Sequence, residues 1–222
     1  MAEKKILIAP SLLSADFLHL ADQIRLVEES GADWLHLDVM DGHFVPNLSI
    51  GPAVVAACQR MTRLPLDIHL MVMEPEPLLE AFAKAGADHL TVHVEASHQI
   101  SDTLERIHKL GVKAGITLKP ATPVSSLTAH LPYVDGVLVM SVDPGFSGQT
   151  FLPGAVERIS EVRLALDNLK SNAWLAVDGG VNATSAALAR AAGANVFISG
   201  SGIFQDPKGI PAALQTLRTA LA

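Results

Sequence analysis

Cysteine and positive charge are both scarce in this sequence. Its one cysteine, Cys58, excludes a disulfide framework within the chain and a cysteine-based zinc finger. Lys and Arg number 16 against 23 Asp and Glu, which gives a formal net charge of −7. An acidic chain of this kind argues against nucleic acid and anionic membranes as partners.

Long hydrophobic runs are missing as well. No apolar stretch approaches the roughly 18 residues that a membrane span needs. The apolar stretch near the N-terminus is too short and too poorly flanked to be a signal peptide. We therefore expect a cytoplasmic protein, or a protein of an organelle stroma whose transit peptide has been removed.

The sequence does contain ample material for a core, and it contains a repeat. Of its 222 residues, 49% are apolar and 18% are charged, which excludes intrinsic disorder. Near copies of Gly-Ala-Asp recur at 31–33, 86–88 and 193–195, each between a helix-like pattern and an apolar run. Because glycine can adopt the left-handed conformation that ends a helix, the repeats indicate alternating helices and strands.

Eight strand–helix units can be traced along the chain. Runs rich in β-branched and aliphatic residues predict strands near 6–10, 34–39, 66–72, 89–94, 113–118, 134–141, 173–178 and 195–199. Helical spacing predicts helices near 16–29, 51–60, 76–85, 98–109, 123–130, 154–170, 182–192 and 207–220. This alternation implies a parallel sheet, and eight units can close it into a (β/α)8 barrel; a doubly wound open sheet is the alternative. No linker divides the chain, so we expect one α/β domain over 1–222.

Polar residues at the C-terminal ends of the strands are the candidates for an active site, because barrel enzymes place their sites there. His36 and Asp38 end the second predicted strand two residues apart, so both point to one side. His69 ends the third strand and Asp178 ends the seventh. Two His and two Asp suit a divalent metal such as zinc, iron(II), manganese or cobalt. Since single His or Asp residues at strand ends usually serve only as hydrogen-bonding groups, the residues alone leave both interpretations open.

Glycine-rich segments follow the sixth, seventh and eighth predicted strands. They contain Gly145, Phe146, Ser147 and Gly148, then Gly179 and Gly180, then Gly200 and Ser201. Loops at these places in a barrel often bind phosphate through backbone amides. No Lys or Arg lies within 120–157, 171–189 or 191–207, so N–H dipoles would hold the anion. Turning the chain is the other role that such glycines could have.

A few further side chains near the predicted barrel mouth are candidates. Met40, Met71 and Met140 each end or follow a strand and could form an apolar wall, although methionine is more often core filler. His93 has the parity to face the barrel interior and could support a metal ligand. Ser11 ends the first strand and could contact a substrate or begin the first helix.

These segments together resemble the ribulose-phosphate 3-epimerase family over essentially the whole chain. The resemblance is carried by APSLLS (9–14), HLDVMDGHFVPN (36–47), DIHLM (67–71), PGFSGQ (144–149) and VDGGV (177–181). It implies a TIM barrel isomerase that interconverts D-ribulose 5-phosphate and D-xylulose 5-phosphate in the pentose phosphate pathway or the Calvin cycle. It also implies one divalent metal per subunit, zinc first, with iron(II), manganese or cobalt as alternatives.

The resemblance further implies roles for individual positions. Asp38 and Asp178 would be the acid/base pair and would hold the metal together with His36 and His69. Ser11 and His69 would contact the substrate, with phosphate contacts from 145–148, 179–180 and 200–201. Because inversion at C3 through an ene-diolate is simplest with two acid/base groups, we predict the two aspartates on opposite sides of the sugar. We expect a small phosphosugar as the substrate and a homo-oligomer, either a dimer or a hexamer.

Two positions depart from the family pattern, and three alternatives stay open. Ser147 stands where glycine is usual and Asp143 where Asn or Glu is common, which bears on phosphate affinity and sugar preference. The same chemistry could act on another ketose phosphate, such as allulose 6-phosphate. Decarboxylation or aldol chemistry would need a strand-end lysine, for which Lys119 is the nearby candidate. A sugar-phosphate sensor without catalysis would not need both aspartates.

Overall fold

Eight parallel strands form the centre of the computed structural model, which describes residues 4–222. The strands are β1 Leu7–Pro10, β2 Leu35–Met40, β3 Leu66–Met71, β4 His89–His93, β5 Lys113–Leu118, β6 Gly136–Met140, β7 Trp174–Asp178 and β8 Val196–Ser199. They follow the order β1-β8-β7-β6-β5-β4-β3-β2. A parallel bridge between Ser11 and His36 brings β1 against β2 and closes the ring. The predicted (β/α)8 barrel is therefore confirmed, and the open sheet is excluded.

Helices cover the outside of the ring. They are α1 Leu20–Glu29, α2 Pro52–Met61, α3 Leu79–Ala85, α4 Ile100–Lys109, α5 Ala155–Asn168, α6 Ala183–Ala191, α7 Ser201–Phe204 and α8 Ile210–Ala220. Within the described residues, none of these helices has both the length and the apolar character that crossing a membrane requires.

The fifth unit differs from the prediction. The helix expected over 123–130 is replaced by two short 3-10 helices, Val124–Leu127 and Leu131–Tyr133. Pro123 precedes the first of these helices and Pro132 lies within the second, where it has no backbone N–H to donate to the hydrogen bonds of a continuous α-helix. The four-residue helix α7 was not predicted, because one turn is too short to show a hydrophobic period.

Alternation along the strands divides the interior into two layers. On β2, Leu35, Leu37 and Val39 point outward and pack under the helices. Inside the ring, the indoles of Trp34 and Trp174 meet edge to face, with ring centroids 5.4 Å apart, and fill the end where the strands begin. The opposite end of the interior is left to polar side chains, and that end carries the candidate site.

Substitutions at two residues of α5 that differ in burial should have different effects on stability. Ile159 is fully buried in this layer, whereas Leu164 on the same helix is 62% exposed. We expect Ile159→Ala to lower the free energy of unfolding by about 2–5 kcal/mol, because it leaves a cavity. Leu164→Ala should change it by no more than about 0.5 kcal/mol. Equal losses in chemical denaturation would contradict this arrangement of the core.

Candidate functional site

Four side chains from three strands meet at the C-terminal end of the ring. His36, Asp38, His69 and Asp178 each offer one donor atom, and these atoms lie within 4.8 Å of one another. Asp38 Oδ1 lies 3.3 Å from Nε2 of His36 and 3.1 Å from Nδ1 of His69. The register that pairs Asp38 with His69 across β2 and β3 produces this contact. The structure thus brings together all four residues of the predicted metal site.

The two aspartates reach the cluster from different walls of the barrel. Asp38 belongs to β2 and Asp178 to β7, which are separated around the ring by β1 and β8. Ser11, at the end of β1, donates a hydrogen bond of 2.7 Å to Oδ2 of Asp38. Because Oδ1 of Asp38 faces the imidazoles, both of its oxygens have partners.

The surroundings of Asp38 and Asp178 shift the pKa values of the two carboxyl groups in opposite directions. Burial, followed by the nearby Asp38 carboxylate, raises the pKa of Asp178 to about 6. Burial also acts to raise the pKa of Asp38, but charges and hydrogen bonds from His36 and His69 outweigh it and hold this pKa well below its ordinary value. Asp38 is therefore a carboxylate at neutral pH, whereas Asp178 takes up a proton just below neutral pH.

The donor set fits a divalent metal. Metal–ligand bonds of about 2.0–2.2 Å require the donor atoms to surround one point closely, and here all four lie within 4.8 Å of one another. The two imidazoles are fully buried, and the two carboxylates repel each other in a poorly solvated region. A cation between the carboxylates would remove this repulsion. The nitrogen and oxygen donors suit zinc and the neighbouring transition metals and do not choose among them.

Each imidazole of the cluster is held from behind by a second group. Nδ1 of His36 lies 2.7 Å from Oδ2 of Asp67, so Nε2 is the nitrogen that faces the cluster. Nε2 of His69 lies 2.9 Å from Nε2 of His93, which supports the role expected for His93. Nδ1 of His93 in turn lies 3.3 Å from Oε2 of Glu95.

Asp67 and Glu95 are the functional candidates that the sequence analysis missed. A signal for Asp67 was present, because it precedes His69 by two residues on β3 and so shares its face. Burial acts to raise the pKa of Glu95, but hydrogen bonds from His93, Thr122 and the backbone of Lys119 lower it to about 2. Glu95 follows β4 in a loop, where alternation gives no orientation, so only the folded chain reveals its contact.

A cavity opens above the cluster, and nearly all of the predicted substrate contacts line it. The lining includes Asp38 and Asp178 at the floor, Ser11 at one side, and the glycine-rich segments 145–148, 179–180 and 200–201. His69 is fully buried beneath Asp38 and does not line the cavity, so its predicted substrate contact stays a prediction. None of the described residues that line the cavity is Lys or Arg.

The three predicted methionines also line this cavity. Met40, Met71 and Met140 are each less than 5% exposed and end neighbouring or facing strands. Met40 and Met71 pack with Phe44 and Val45 from the loop after β2. These side chains form an apolar wall beside the carboxylates and restrict access of water to them.

The glycine-rich loops pack backbone against backbone. Gly180 has φ +61, and a Cβ there would lie 2.4 Å from the amide nitrogen of Phe151, so only glycine fits. The amide of Asn47 donates a 2.7 Å hydrogen bond to the carbonyl of Gly145, which ties the loop after β2 to the loop after β6. Glycine-rich main chain therefore forms part of the border of the cavity, beside the methionine side chains.

Ser147 and Asp143, the two departures from the family pattern, are both exposed to solvent. Ser147 is exposed on the cavity lining, and its φ is not positive, so the position does not require glycine. Asp143 is exposed and does not belong to the lining. Neither residue places a side chain where it would block the cavity floor.

Comparisons with known proteins agree with this geometry. The model of the ribulose-phosphate 3 epimerase family matches residues 7–204. Ribulose-phosphate 3-epimerase of Synechocystis sp. is 48% identical over 206 residues, covering 92% of this chain and 90% of that protein. The Bacillus subtilis ribulose-phosphate 3-epimerase is 49% identical, covering 90% and 92%. The chloroplastic ribulose-5-phosphate-3-epimerase of Arabidopsis thaliana is 47% identical, covering 91% and 73%.

Among solved structures, 3-hexulose-6-phosphate synthase superposes with a TM-score of 0.70. The superposition covers 98% of this chain and 100% of that one at 19% sequence identity, which shows a shared fold.

The raised pKa of Asp178 predicts how the metal-free protein depends on pH. Folding raises this pKa from 3.8 to about 6, so the folded state binds the proton more tightly than the unfolded state. Stability is therefore lost as the pH rises through this range. In chelator, Asp178→Asn should raise the free energy of unfolding by about 1–3 kcal/mol near pH 8, with no gain near pH 4. A gain that is independent of pH, or no gain, would contradict the prediction.

Proposed function

Because the chain belongs to the ribulose-phosphate 3-epimerase family, we propose that it inverts C3 of a ketopentose phosphate, interconverting D-ribulose 5-phosphate and D-xylulose 5-phosphate. The observation that carries the proposal is the pair Asp38 and Asp178, which reach one cavity floor from walls separated by two other strands. Residues 1–222 act as a single catalytic domain in this proposal.

The two aspartates divide the proton transfers between them. Asp38, ionised, removes the C3 proton from one face of the sugar, and the electron pair moves toward the C2 carbonyl to give an ene-diolate. Asp178, protonated, then delivers its proton to C3 from the opposite face, which inverts the centre. In the reverse reaction the roles are exchanged, and before another forward turnover Asp38 releases its proton and Asp178 takes one up. In the metal-free protein the pKa values of the two aspartates are shifted in opposite directions, so their proton affinities differ before an ion binds.

The metal site of the proposal consists of His36, Asp38, His69 and Asp178. A divalent ion bound by these residues supplies Lewis-acid stabilisation for the negative charge that develops on the ene-diolate. Asp67 orients His36 so that its Nε2 faces the site. Ser11 holds Oδ2 of Asp38, which limits the rotation of the carboxylate that acts as base.

The phosphate group of the substrate is anchored away from C3. Residues 145–148, 179–180 and 200–201 line the cavity, and their backbone N–H dipoles would hold an anion there, since no lining side chain is Lys or Arg. The sugar then extends toward the carboxylates, beside the wall of Met40, Met71 and Met140. Fixing the remote phosphate positions C3 between the two aspartates, and the wall excludes water that would otherwise quench the ene-diolate.

The cellular setting is proposed from the same family membership. Zinc is the first choice of metal, with iron(II), manganese and cobalt as alternatives. The protein acts as a homo-oligomer, a dimer or a hexamer, in the cytoplasm or in an organelle stroma. Its reaction serves the pentose phosphate pathway or the Calvin cycle, which the name of the chloroplastic relative supports.

Inversion by two aspartates predicts a distinct labelling pattern in heavy water. At early conversion, the product should carry deuterium at C3 while recovered substrate carries none, because the proton donor differs from the proton acceptor. Asp38→Asn and Asp178→Asn should each lower kcat by about 10²–10⁴-fold without unfolding the protein. Asp143→Asn, which alters a nearby aspartate outside the cavity lining, should leave kcat within about twofold. Unlabelled product, or silent Asn variants, would refute the mechanism.

A metal requirement predicts a result that does not depend on turnover. Protein purified without chelator should contain one divalent ion per chain by elemental analysis. Chelation should lower Tm, since an ion at 100 times its Kd stabilises the folded state by about 2.7 kcal/mol. Turnover should disappear with the ion and return when zinc is added. Full activity of the metal-free protein would overturn this part of the proposal.

A further inference from the structure

We propose that Glu95 is a positioning residue that acts through His93 to make Nδ1 the metal-binding nitrogen of His69. The inference rests on the proposed metal site and adds to it a residue that touches neither metal nor substrate. It concerns which ring nitrogen carries a proton, which the fold determines through a chain of contacts from Glu95 to the cluster.

The imidazoles of His69 and His93 lie within hydrogen-bonding distance of each other. Nε2 of His69 lies 2.9 Å from Nε2 of His93, and both rings are fully buried. Two ring nitrogens at this distance form a hydrogen bond only when one of them carries a proton and the other does not. If His93 Nε2 carried the proton, His69 would have to accept it and keep its own proton on Nδ1. Nδ1 of His69 would then be unable to bind a metal.

Glu95 decides between these two arrangements. Its Oε2 lies 3.3 Å from Nδ1 of His93, and a carboxylate can only accept a hydrogen bond. His93 therefore keeps its proton on Nδ1, which leaves Nε2 as an acceptor. When the metal is bound, His69 donates from Nε2 to that acceptor, and its Nδ1, which faces the cluster 3.1 Å from Oδ1 of Asp38, is then free of a proton and available to the ion.

The other oxygen of Glu95 fixes the carboxylate in this orientation. Oε1 accepts hydrogen bonds from the backbone N–H of Lys119, at 2.8 Å, and from the hydroxyl of Thr122. Two donors therefore occupy Oε1, and Oε2 is left for His93. The ring of Phe44 covers His93, with centroids 4.6 Å apart, so the carboxylate has no competitor from solvent at this imidazole.

Both histidines of the cluster are thus oriented by a carboxylate, which contacts His36 directly and reaches His69 only through another imidazole. His36 has a carboxylate directly on its Nδ1, from Asp67, and turns Nε2 to the cluster. Nε2 of His69 contacts His93, and His93 in turn contacts the carboxylate of Glu95, so His69 directs its Nδ1 to the cluster. Partners of this kind commonly change metal affinity when they are removed.

Glu95→Gln tests the proposal because it keeps the shape of the side chain but reverses the direction of its hydrogen bond with Nδ1 of His93. The donors from Lys119 and Thr122 would hold the amide oxygen, so the amide NH2 would face Nδ1 of His93 and donate to it. That contact would move the His93 proton to Nε2 and leave a proton on Nδ1 of His69. We expect the Kd for zinc, measured by competition with a chelator, to increase by about 10- to 100-fold.

Glu76→Gln is the matched control. Glu76 is half-buried and follows the neighbouring strand β3, and its carboxylate also accepts hydrogen bonds from side-chain hydroxyls, those of Ser97 and Thr103. It contacts no histidine among the described residues, so its substitution should leave the Kd for zinc within about twofold. Equal zinc affinity of the Glu95→Gln variant, the Glu76→Gln variant and the unaltered protein would overturn the proposal.

A second measurement needs no variant and holds even if Glu95→Gln fails to fold. In zinc-loaded protein with ¹⁵N-labelled histidine, His93 should be protonated on Nδ1 and unprotonated on Nε2. The reverse pattern in nitrogen NMR would overturn the inference. Absence of zinc binding by the unaltered protein would contradict the metal site itself and would separate that failure from the failure of the role given to Glu95.

Discussion

The proximity of two acidic groups at the mouth of the barrel constrains the rest of this structure. Asp38 and Asp178 share one poorly solvated region, where two negative charges are unfavourable unless something compensates them. The fold compensates Asp38 with imidazoles and with the hydroxyl of Ser11, which leaves Asp178 as the carboxyl group whose proton affinity is raised. The same arrangement that disfavours two carboxylates makes the site suitable for a cation and for proton transfer in both directions.

Polar groups extend from Asp38 and Asp178 into the interior of the barrel. Behind the imidazoles lie Asp67, His93 and Glu95, so much of one side of the ring interior is a hydrogen-bonded network rather than an apolar core. Burial makes each of these bonds a constraint, because a buried group without its partner is costly. The barrel can accommodate this network since its stability comes from the apolar layer between strands and helices and from the indoles of Trp34 and Trp174 at the other end.

The remaining wall of the cavity is built in a different way. On the side of β6, β7 and β8, glycine-rich loops present main-chain groups, and the lining carries no cationic side chain. Main-chain donors are held by the fold itself and do not lose rotamer freedom when an anion binds. Titratable side chains therefore reach the cavity floor from both walls, Asp38 from β2 and Asp178 from β7, while the glycine-rich loops border the side of β6, β7 and β8. In the proposed function a phosphosugar extends from these loops to the two aspartates.

Apolar runs and residue spacing along the chain predicted the eight strands, the parallel sheet and the four residues of the candidate metal site. Strand ends and two-residue alternation are local properties, so His36, Asp38, His69 and Asp178 could be placed from their own neighbours along the chain. The 3-10 helices around Pro132 and the contact of Glu95 with His93 appeared only in the tertiary structure. They depend on register between strands and on how a loop returns to the barrel, and these are set by packing between segments that are distant in the sequence.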